Sequence, residues 1–538
     1  MKGMVVCPEP LAAEAGVEAF RRGGNAADAA VAAAFAQCVV DPLMCGLGGT
    51  ALGLVMDRRT GAVDFLDASV TIGSVPVPEA FRTGHRERTE TVGRYVVEGE
   101  INQMGYQSIM VPGFVRGAEV LYERYGSGKV AWGDLLAPAI RLAEEGFDIY
   151  PYVARQWANT EDRPGYPGLM RKLTATSDCA AIYLRCGTIY KEGDRLIQAD
   201  LGRTLRRLAQ EGPGDFYTGD IGRRIAEDMA AHGGLFNGDD LRNFPVDVGE
   251  PVAGVYRGYD VVSTPPPGSG VQMIEMLQVL EHFDLVETGH NTPEYIELLA
   301  RAMIATFLEQ VVLKGDPPQS VATRFMRKGL SRTHARAIAE RVRAKAPEAG
   351  APARGDTGTT HLSAVDSAGT VVSMTHSIGS LAASGVVTPG LGFIYNNFLG
   401  HFHPLPGHPD SIVAGKRGGG GVPTVIMSGG RPVVVIGAPG GSRLITSILQ
   451  TLINVLDFGM EMKRAVTAPR FHAEEPGLIF AEPAIPEDVV EAVRGRGFRV
   501  ERSTYMSRVQ AICIDPDTGE MAAGPDPRGG AGVGIADD

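Results

Sequence analysis

The pattern of apolar and polar positions changes character once along this chain. Over residues 9–22 apolar positions recur at helical spacing, with Leu11, Ala15 and Ala19 on one face. Gly23-Gly24 ends that helix as a C-terminal cap does. Asn25, with Asp28 three residues on, predicts a capped second helix. Its apolar stripe is Val31, Phe35 and Val39, and alanine-rich faces let the two helices pack closely. The same periodicity predicts helices over 131–145, 219–232, 269–283, 293–313 and 333–346, with short strands at 51–56 and 259–263 between them. The cluster Thr264-Pro265-Pro266-Pro267-Gly268-Ser269-Gly270 reads as a rigid turn feeding a helix. Residues 345–358 are small, polar and rich in breakers, and read as mobile or exposed. Beyond them the pattern is strand-led. Strands are predicted at 360–366 and 370–377, joined by the hairpin turn Asp366-Ser367-Ala368-Gly369. Strands at 422–427 and 432–436 and a helix at 443–457 follow. No internal repeat is present.

Composition narrows the class. The chain has 538 residues, 44% hydrophobic and 21% charged, which is ordinary globular usage. At roughly 150 residues per domain the length suggests three or four domains, but one large α/β unit fits as well. Seventy glycines and 7% aromatics imply many tight turns. A net charge of −12 with no Lys/Arg run argues against a nucleic-acid partner. No apolar run is long enough to span a membrane. The opening Met1–Pro8 is too short an apolar stretch for a signal peptide, so a soluble cytoplasmic protein is expected. Six cysteines without C-x-x-C spacing read as buried free thiols.

The chemistry gathers where the two halves meet. A breaker-rich segment runs into Gly358-Thr359-Thr360-His361 and then a strand. One use of this arrangement is self-cleavage before Thr359. A threonine at a new N-terminus carries its hydroxyl and its α-amine on one residue. The amine, with an ordinary pKa of about 7.7–8.0, can activate the hydroxyl. Taken alone, Gly-Thr-Thr is also a plain strand start. Further on, Val433–Ile436 leads through Gly437-Ala438-Pro439-Gly440-Gly441 into a helix. Backbone N–H groups at Gly440 and Gly441 can hold an oxyanion there, or form a generic anion nest or tight turn. Neither this turn nor Gly418–Gly421 matches a P-loop, and the latter reads as a flexible loop.

These stretches, in order, resemble the γ-glutamyltransferase family of N-terminal-nucleophile hydrolases from Gly3 to about Ile535. The resemblance rests on Arg22-Gly23-Gly24-Asn25-Ala26-Ala27-Asp28, Gly46-Leu47-Gly48-Gly49, Val111-Pro112-Gly113 and Phe216-Tyr217-Thr218-Gly219. It continues through Thr359-Thr360-His361-Leu362-Ser363, Asn396-Asn397, Gly437–Arg443, Ala468–His472, Arg508–Ile512 and Asp526-Pro527-Arg528. It implies an α/β fold, a four-layer αββα sandwich made as one proenzyme. Cleavage at Gly358–Thr359 would give a large chain, 1–358, and a small chain, 359–538, intertwined in one domain and staying associated. Thr359 matches the nucleophile, Gly440 and Gly441 the oxyanion-hole glycines, and Ser377 the hydroxyl beside the nucleophile. The implied cycle forms an acyl-enzyme on Thr359, released to water or an amine acceptor, without a cofactor. A homo-oligomer is left open.

The substrate-binding positions depart from the family pattern. Leu66 stands where the carboxylate-gripping Arg is expected, and Gly379 replaces an Asn. His401 aligns with an acid, and Phe398 with a polar position. Lys416-Arg417 leads into Gly418–Gly421 instead of a Ser-Ser pair. A pocket lacking these charges loses the grip on a γ-glutamyl group, so a different small amide is expected. An ordinary glutathione-cleaving γ-glutamyltransferase and a ligand-binding pseudoenzyme are the alternatives. His401-Phe402-His403 with His408 invites a metal reading, but only Asp410 lies near as a carboxylate, so a pocket-lining loop and no metal are expected.

Overall fold

The computed structural model describes residues 2–86, 95–158, 161–163, 165–309, 319–345 and 358–537. Nearly all of the breaker-rich segment, residues 346–357, lies outside the described residues. Before it come strands β1 (Gly3–Cys7), β2 (Thr50–Met56), β3 (Val63–Ala68), β4 (Asp247–Gly249), β5 (Val252–Tyr256) and β6 (Tyr259–Ser263). After it come β7 (Gly358–Asp366), β8 (Val371–Gly379), β9 (Thr424–Ser428), β10 (Arg431–Gly437), β11 (Gln510–Ile514), β12 (Met521–Pro525) and β13 (Gly532–Ala536). One sheet has the order β4-β3-β2-β8-β7-β1-β13, the other β5-β6-β9-β10-β11-β12. Each sheet therefore interleaves strands from both sides of residue 358.

The apolar side chains sort into layers. Met4, Leu52, Leu54, Phe65, Val365 and Val371 from the first sheet meet Val262, Val425, Val435 and Ile512 from the second. The opposite face of the first sheet packs against helices α1 (Pro10–Arg21), α2 (Ala26–Val40) and α3 (Phe114–Tyr125), with α4 (Trp132–Glu145) behind α2. The outer face of the second is covered by α5 (Gly270–Leu280), α6 (Pro293–Glu309), α7 (Arg332–Arg343) and α8 (Ser442–Leu456). Period-two alternation makes this possible: each strand gives one face to helices and the other to the opposing sheet. The result is the four-layer αββα sandwich.

Local signals account for the element ends. The Asn25 side chain accepts from Ala27 N and Asp28 N, and Asp28 accepts from Asn25 N at 2.9 Å, a complete capping box. The hairpin between β7 and β8 turns on Asp366, whose carboxylate accepts from Ala368 N and Thr370 N, with Gly369 at φ +93°. Two readings change. Helix α2 is buried on every side, not along one stripe, because it sits between α1, α4 and β7. Gly418 is not in a loose loop: it pairs with Val70 in a short ribbon, Arg417–Gly418 against Val70–Thr71. Four of the six cysteines are buried free thiols; Cys186 is exposed and Cys513 partly so. Among the described residues no helix is long and apolar enough to cross a membrane.

Candidate active site

Thr359 lies at the start of β7, at the edge of the space between the two sheets. The pairing of β7 with β8 is regular from Thr360 onward but shifts register between Gly358 and Thr360. The irregularity sets the Gly358–Thr359 bond apart from the ladder. The Thr359 hydroxyl donates to Gly358 O at 2.6 Å and lies 3.2 Å from Ser377 Oγ. Ser377 Oγ also donates to Gly358 O and accepts from Gly379 N at 2.9 Å. Two hydroxyls thus converge on one carbonyl, that of the bond preceding Thr359.

Glycine is required at both backbone positions here. A β-carbon on Gly358 would fall 2.2 Å from Gly379 O, and one on Gly379, at φ +109°, 2.3 Å from Asn397 Oδ1. Asn397 in turn accepts from Ser380 N and donates to Ser380 Oγ and Gln103 O. The buried Lys172 donates to Ser380 Oγ at 2.5 Å and Leu381 O at 3.0 Å. These bonds fix the strand end that carries Ser377.

On the other side, Arg508 donates to Thr359 O at 3.2 Å. Its guanidinium lies 3.7 Å from Asp41 and over the Tyr152 ring. Glu9 completes this buried group, accepting from Gln37 at 2.6 Å and from Tyr152 at 3.1 Å. Burial pushes the Glu9 and Asp41 carboxyls up, Asp41 well up, against the opposing pull of Arg508. Thr360 Oγ1 and His376 both bond Gln37, so the strand bearing Thr359 is tied to α2 from beneath. Asn397, Arg508, Lys172 and Gln37 were not among the sequence-derived site residues. Asn397 and Arg508 stand inside stretches that carry the resemblance; Lys172 and Gln37 gave no local signal.

Gly440 and Gly441 precede α8 at φ +124° and +60°. A β-carbon on Gly440 would lie 2.8 Å from Tyr505 Oη, and Ser507 Oγ donates to Pro439 O. Gly440 borders a cavity of about 760 Å³, which Arg508 also lines. Arg155, Arg163, Arg443 and Arg528 line it too, with Glu474 the only acid. Arg508 faces Asp41, and Arg528 pairs with Glu482 and Asp526. Arg443 donates to Ser503 Oγ and Tyr505 O. Arg155 and Arg163 have no carboxylate partner among the described residues. Five arginines against one glutamate make the cavity lining rich in positive charge.

The remaining substrate-binding candidates fall elsewhere. Leu66 is buried in β3, pairs with Gly53, and packs on the helix-facing side near Gly117. It faces away from the space that holds Thr359, so the structure does not bring it to the site. Phe398 belongs to a small apolar cluster with Val70, Met110 and Phe402 behind Gly418. His401 packs edge-on against Phe398 at 5.4 Å and is not among the cavity-lining residues. His403 and His408 stack on each other at 4.6 Å, beside Tyr95, as a ring cluster.

A four-layer αββα sandwich with a hydroxyl residue at the edge of its central layer is the architecture of the N-terminal-nucleophile hydrolases. The family model described as Gamma-glutamyltranspeptidase matches residues 12–536, and the chain belongs to that family. It is thus an amidohydrolase/transferase of the N-terminal-nucleophile class. It is 35% identical over 524 residues to the acylase ACY 1 proenzyme of Pseudomonas sp. (strain SE83), covering 96% of this chain and 90% of that one. It is 32% identical over 561 residues to the glutathione hydrolase proenzyme of Bacillus subtilis (strain 168), covering 99% and 91%. Cephalosporin acylase from Bacillus halodurans superposes with a TM-score of 0.84 at 27% identity, over 99% of this chain and 95% of that one.

Proposed function

We propose that the chain cleaves itself before Thr359 and then hydrolyses a small anionic amide, other than a γ-glutamyl one, through an ester on Thr359. The observation that carries this reading is the convergence of Thr359 Oγ and Ser377 Oγ on Gly358 O. In the uncut chain, Thr359 Oγ adds to the Gly358 carbonyl carbon while Ser377 stabilises the charge on its oxygen. The C–N bond breaks, Thr359 gains a free α-amine, and water hydrolyses the resulting ester to leave the Gly358 carboxylate. The freed amine then takes the proton of Thr359 Oγ as that oxygen attacks a substrate carbonyl. The N–H groups of Gly440 and Gly441 hold the developing oxyanion. The leaving amine takes the proton, and water or an amine acceptor releases the acyl group. The large and small chains stay associated, since each sheet interleaves strands of both.

The specificity reading rests on charge. The cavity beside Gly440 is rich in arginine, which favours a substrate bearing a carboxylate. The similarity to two proteins named as acylases favours an acyl group other than γ-glutamyl. No carboxylate stands at position 379, beside Ser377, to meet an ammonium group. The test is a panel of anilides offered to the processed protein, with the acyl-enzyme trapped and mapped by peptide mass. Turnover of carboxylated acyl anilides, slow turnover of γ-glutamyl anilide and an acyl mark on Thr359 are expected. Efficient γ-glutamyl anilide or glutathione hydrolysis would restore the glutathione-cleaving alternative.

A further inference from the structure

Arg508 is buried, 3% exposed, and its backbone is fixed on both sides. Ser507 Oγ donates to Pro439 O, and Val509 N donates to Asp526 at 2.8 Å. From this anchored stretch the guanidinium reaches Thr359. One nitrogen, Nη2, donates to Thr359 O at 3.2 Å, while Nη1 lies 3.7 Å from Asp41. The carbonyl so held belongs to the nucleophile residue itself, not to a bond that breaks. A full positive charge therefore stands next to the residue whose α-amine must act as a base.

The compensating negative charge lies farther away. Glu9 touches only the next residue, accepting from Thr360 Oγ1 at 3.3 Å on the helix side of β7, and Asp41 lies beyond Arg508. Neither Asp41 oxygen receives a hydrogen bond from a donor group among the described residues, and the Glu9 carboxyl is within bonding reach of it. Two carboxyls so placed share a proton and carry one negative charge between them. Burial, which pushes both up, acts in the same sense. Cys7 and Tyr152 also face Glu9, and burial pushes both up, so they stay neutral. On the cavity side stand Tyr505 and the cation Arg443, and Lys172 is bonded to Ser380. The charge nearest Thr359 is thus positive.

We propose that Arg508 is a positioning residue for the general base: it holds the strand end through Thr359 O, and its charge keeps the freed α-amine of Thr359 neutral near pH 7. The proposal deepens the reading of Thr359 as nucleophile and rests on it. Within one residue N and O are at most about 3.6 Å apart, so the α-amine lies within about 7 Å of the guanidinium. A cation at that distance, partly balanced by the carboxyl pair behind it, lowers an amine by about one unit. An α-amine with the ordinary value of about 7.7–8.0 is mostly protonated at pH 7 and takes no proton from Thr359 Oγ; one lowered by a unit is about half neutral.

The test measures the pKa of the Thr359 α-amine in the processed protein by competitive labelling with acetic anhydride over a series of pH values. It is read by mass on the first peptide of fragment 359–538 and needs no turnover. The unsubstituted protein is expected to give a value about one unit below the ordinary 7.7–8.0. Arg508→Met should raise it by about one unit, and Arg508→Lys, which keeps the charge, by less than half as much. The carboxyl pair can take up a second proton, so the Met variant leaves no buried charge unpaired. The acid limb of kcat/KM for the fastest anilide of the panel should move with the labelled value. A role confined to packing would lower rates and move neither quantity, which would overturn the proposal. So would a Lys variant shifted as far as the Met one. An unsubstituted value of 7.7 or above overturns it with no variant needed. If Arg508→Met fails to divide, the unsubstituted and Lys values decide. A chain that never exposes Thr359 as an N-terminus refutes the nucleophile reading and the proposal together. A low value that rises in Arg508→Met, in a protein that turns over no anilide, keeps the proposal and refutes catalysis by Thr359. Turnover with an acyl mark on Thr359 and an unmoved value does the reverse.

Discussion

At the scale of single residues the account makes sharp demands on Gly440 and Ser377. Gly440 combines φ +124° with a β-carbon position 2.8 Å from Tyr505 Oη. Gly440→Ala is expected to displace an oxyanion donor and lower kcat by about 10²–10³, the usual cost of losing one, with a smaller effect on KM. Wild-type kcat in a folded Gly440→Ala protein would remove the glycine from the mechanism. Ser377→Ala deletes a hydroxyl that donates to Gly358 O and should slow chain cleavage by a comparable factor, read as the half-time of the uncut band on a denaturing gel. Much at this scale was legible in the sequence: Gly358, Thr359, Ser377 and Gly379 meet within hydrogen-bonding distance. Leu66 was the instructive miss. In a strand, adjacent residues face opposite ways, so assigning a site role to position 66 selects the helix-facing side of β3. The residues of β3 and its end that face the site's layer are Phe65, Asp67 and Ser69. Motif spacing carries no record of which face a strand residue takes.

At the scale of elements, the site depends on how α2 is held beneath β7. Asn25 caps α2 through the box with Asp28, and its amide also donates to Tyr125 O at 2.7 Å. The same helix start is bonded to the hairpin after β7, Ala26 N donating to Asp366 at 2.9 Å. Asn25→Ala should cost about 1 kcal/mol, within the usual range of 0.5–2 for a lost N-cap, seen as a lower urea midpoint with unchanged slope. An unchanged midpoint would mean that packing alone holds α2. The cap and both neighbouring helices were legible because they rest on local chemistry. The full burial of α2 was not, since alanines on its outer side give the same pattern whether they face water or another helix. Gly418–Gly421 misled for a related reason. A run of glycines looks the same in a loose loop and in a backbone pressed against Thr50, Ser69 and Thr375; only the tertiary neighbours distinguish them.

At the scale of the whole molecule, two histidines buried on opposite faces of the first sheet, His361 toward the second sheet and His376 toward α2, couple stability to pH. His361 bonds Thr375 Oγ1 at 2.8 Å and is buried, as is His376. Burial lowers both rings to about 3, and His376 further lowers His361. The folded state keeps the rings neutral while the unfolded chain protonates them below about 6.5. The unfolded state therefore binds more protons, and stability falls as pH drops from about 6.5 toward 3. Between pH 7 and 5 each ring should remove about 2 kcal/mol, measured by urea unfolding at the two pH values. His376→Gln should remove about half of that difference; an unaltered pH dependence would show that the ring titrates freely in the fold. The layered architecture itself was legible from the ordered family motifs. The arginine-lined cavity was not, because Arg155, Arg163, Arg443, Arg508 and Arg528 come from distant parts of the chain and gather only on folding. The central claim is that Thr359 becomes an N-terminal residue by the chain's own chemistry. Intact-mass spectrometry with N-terminal sequencing of the purified protein and its Thr359→Ala variant tests it most directly. The account predicts fragments 1–358 and 359–538, the second beginning Thr359-Thr360-His361, and a single uncut chain for the variant. A cut at another bond, or a Thr359→Ala protein that still divides at Gly358, would contradict it.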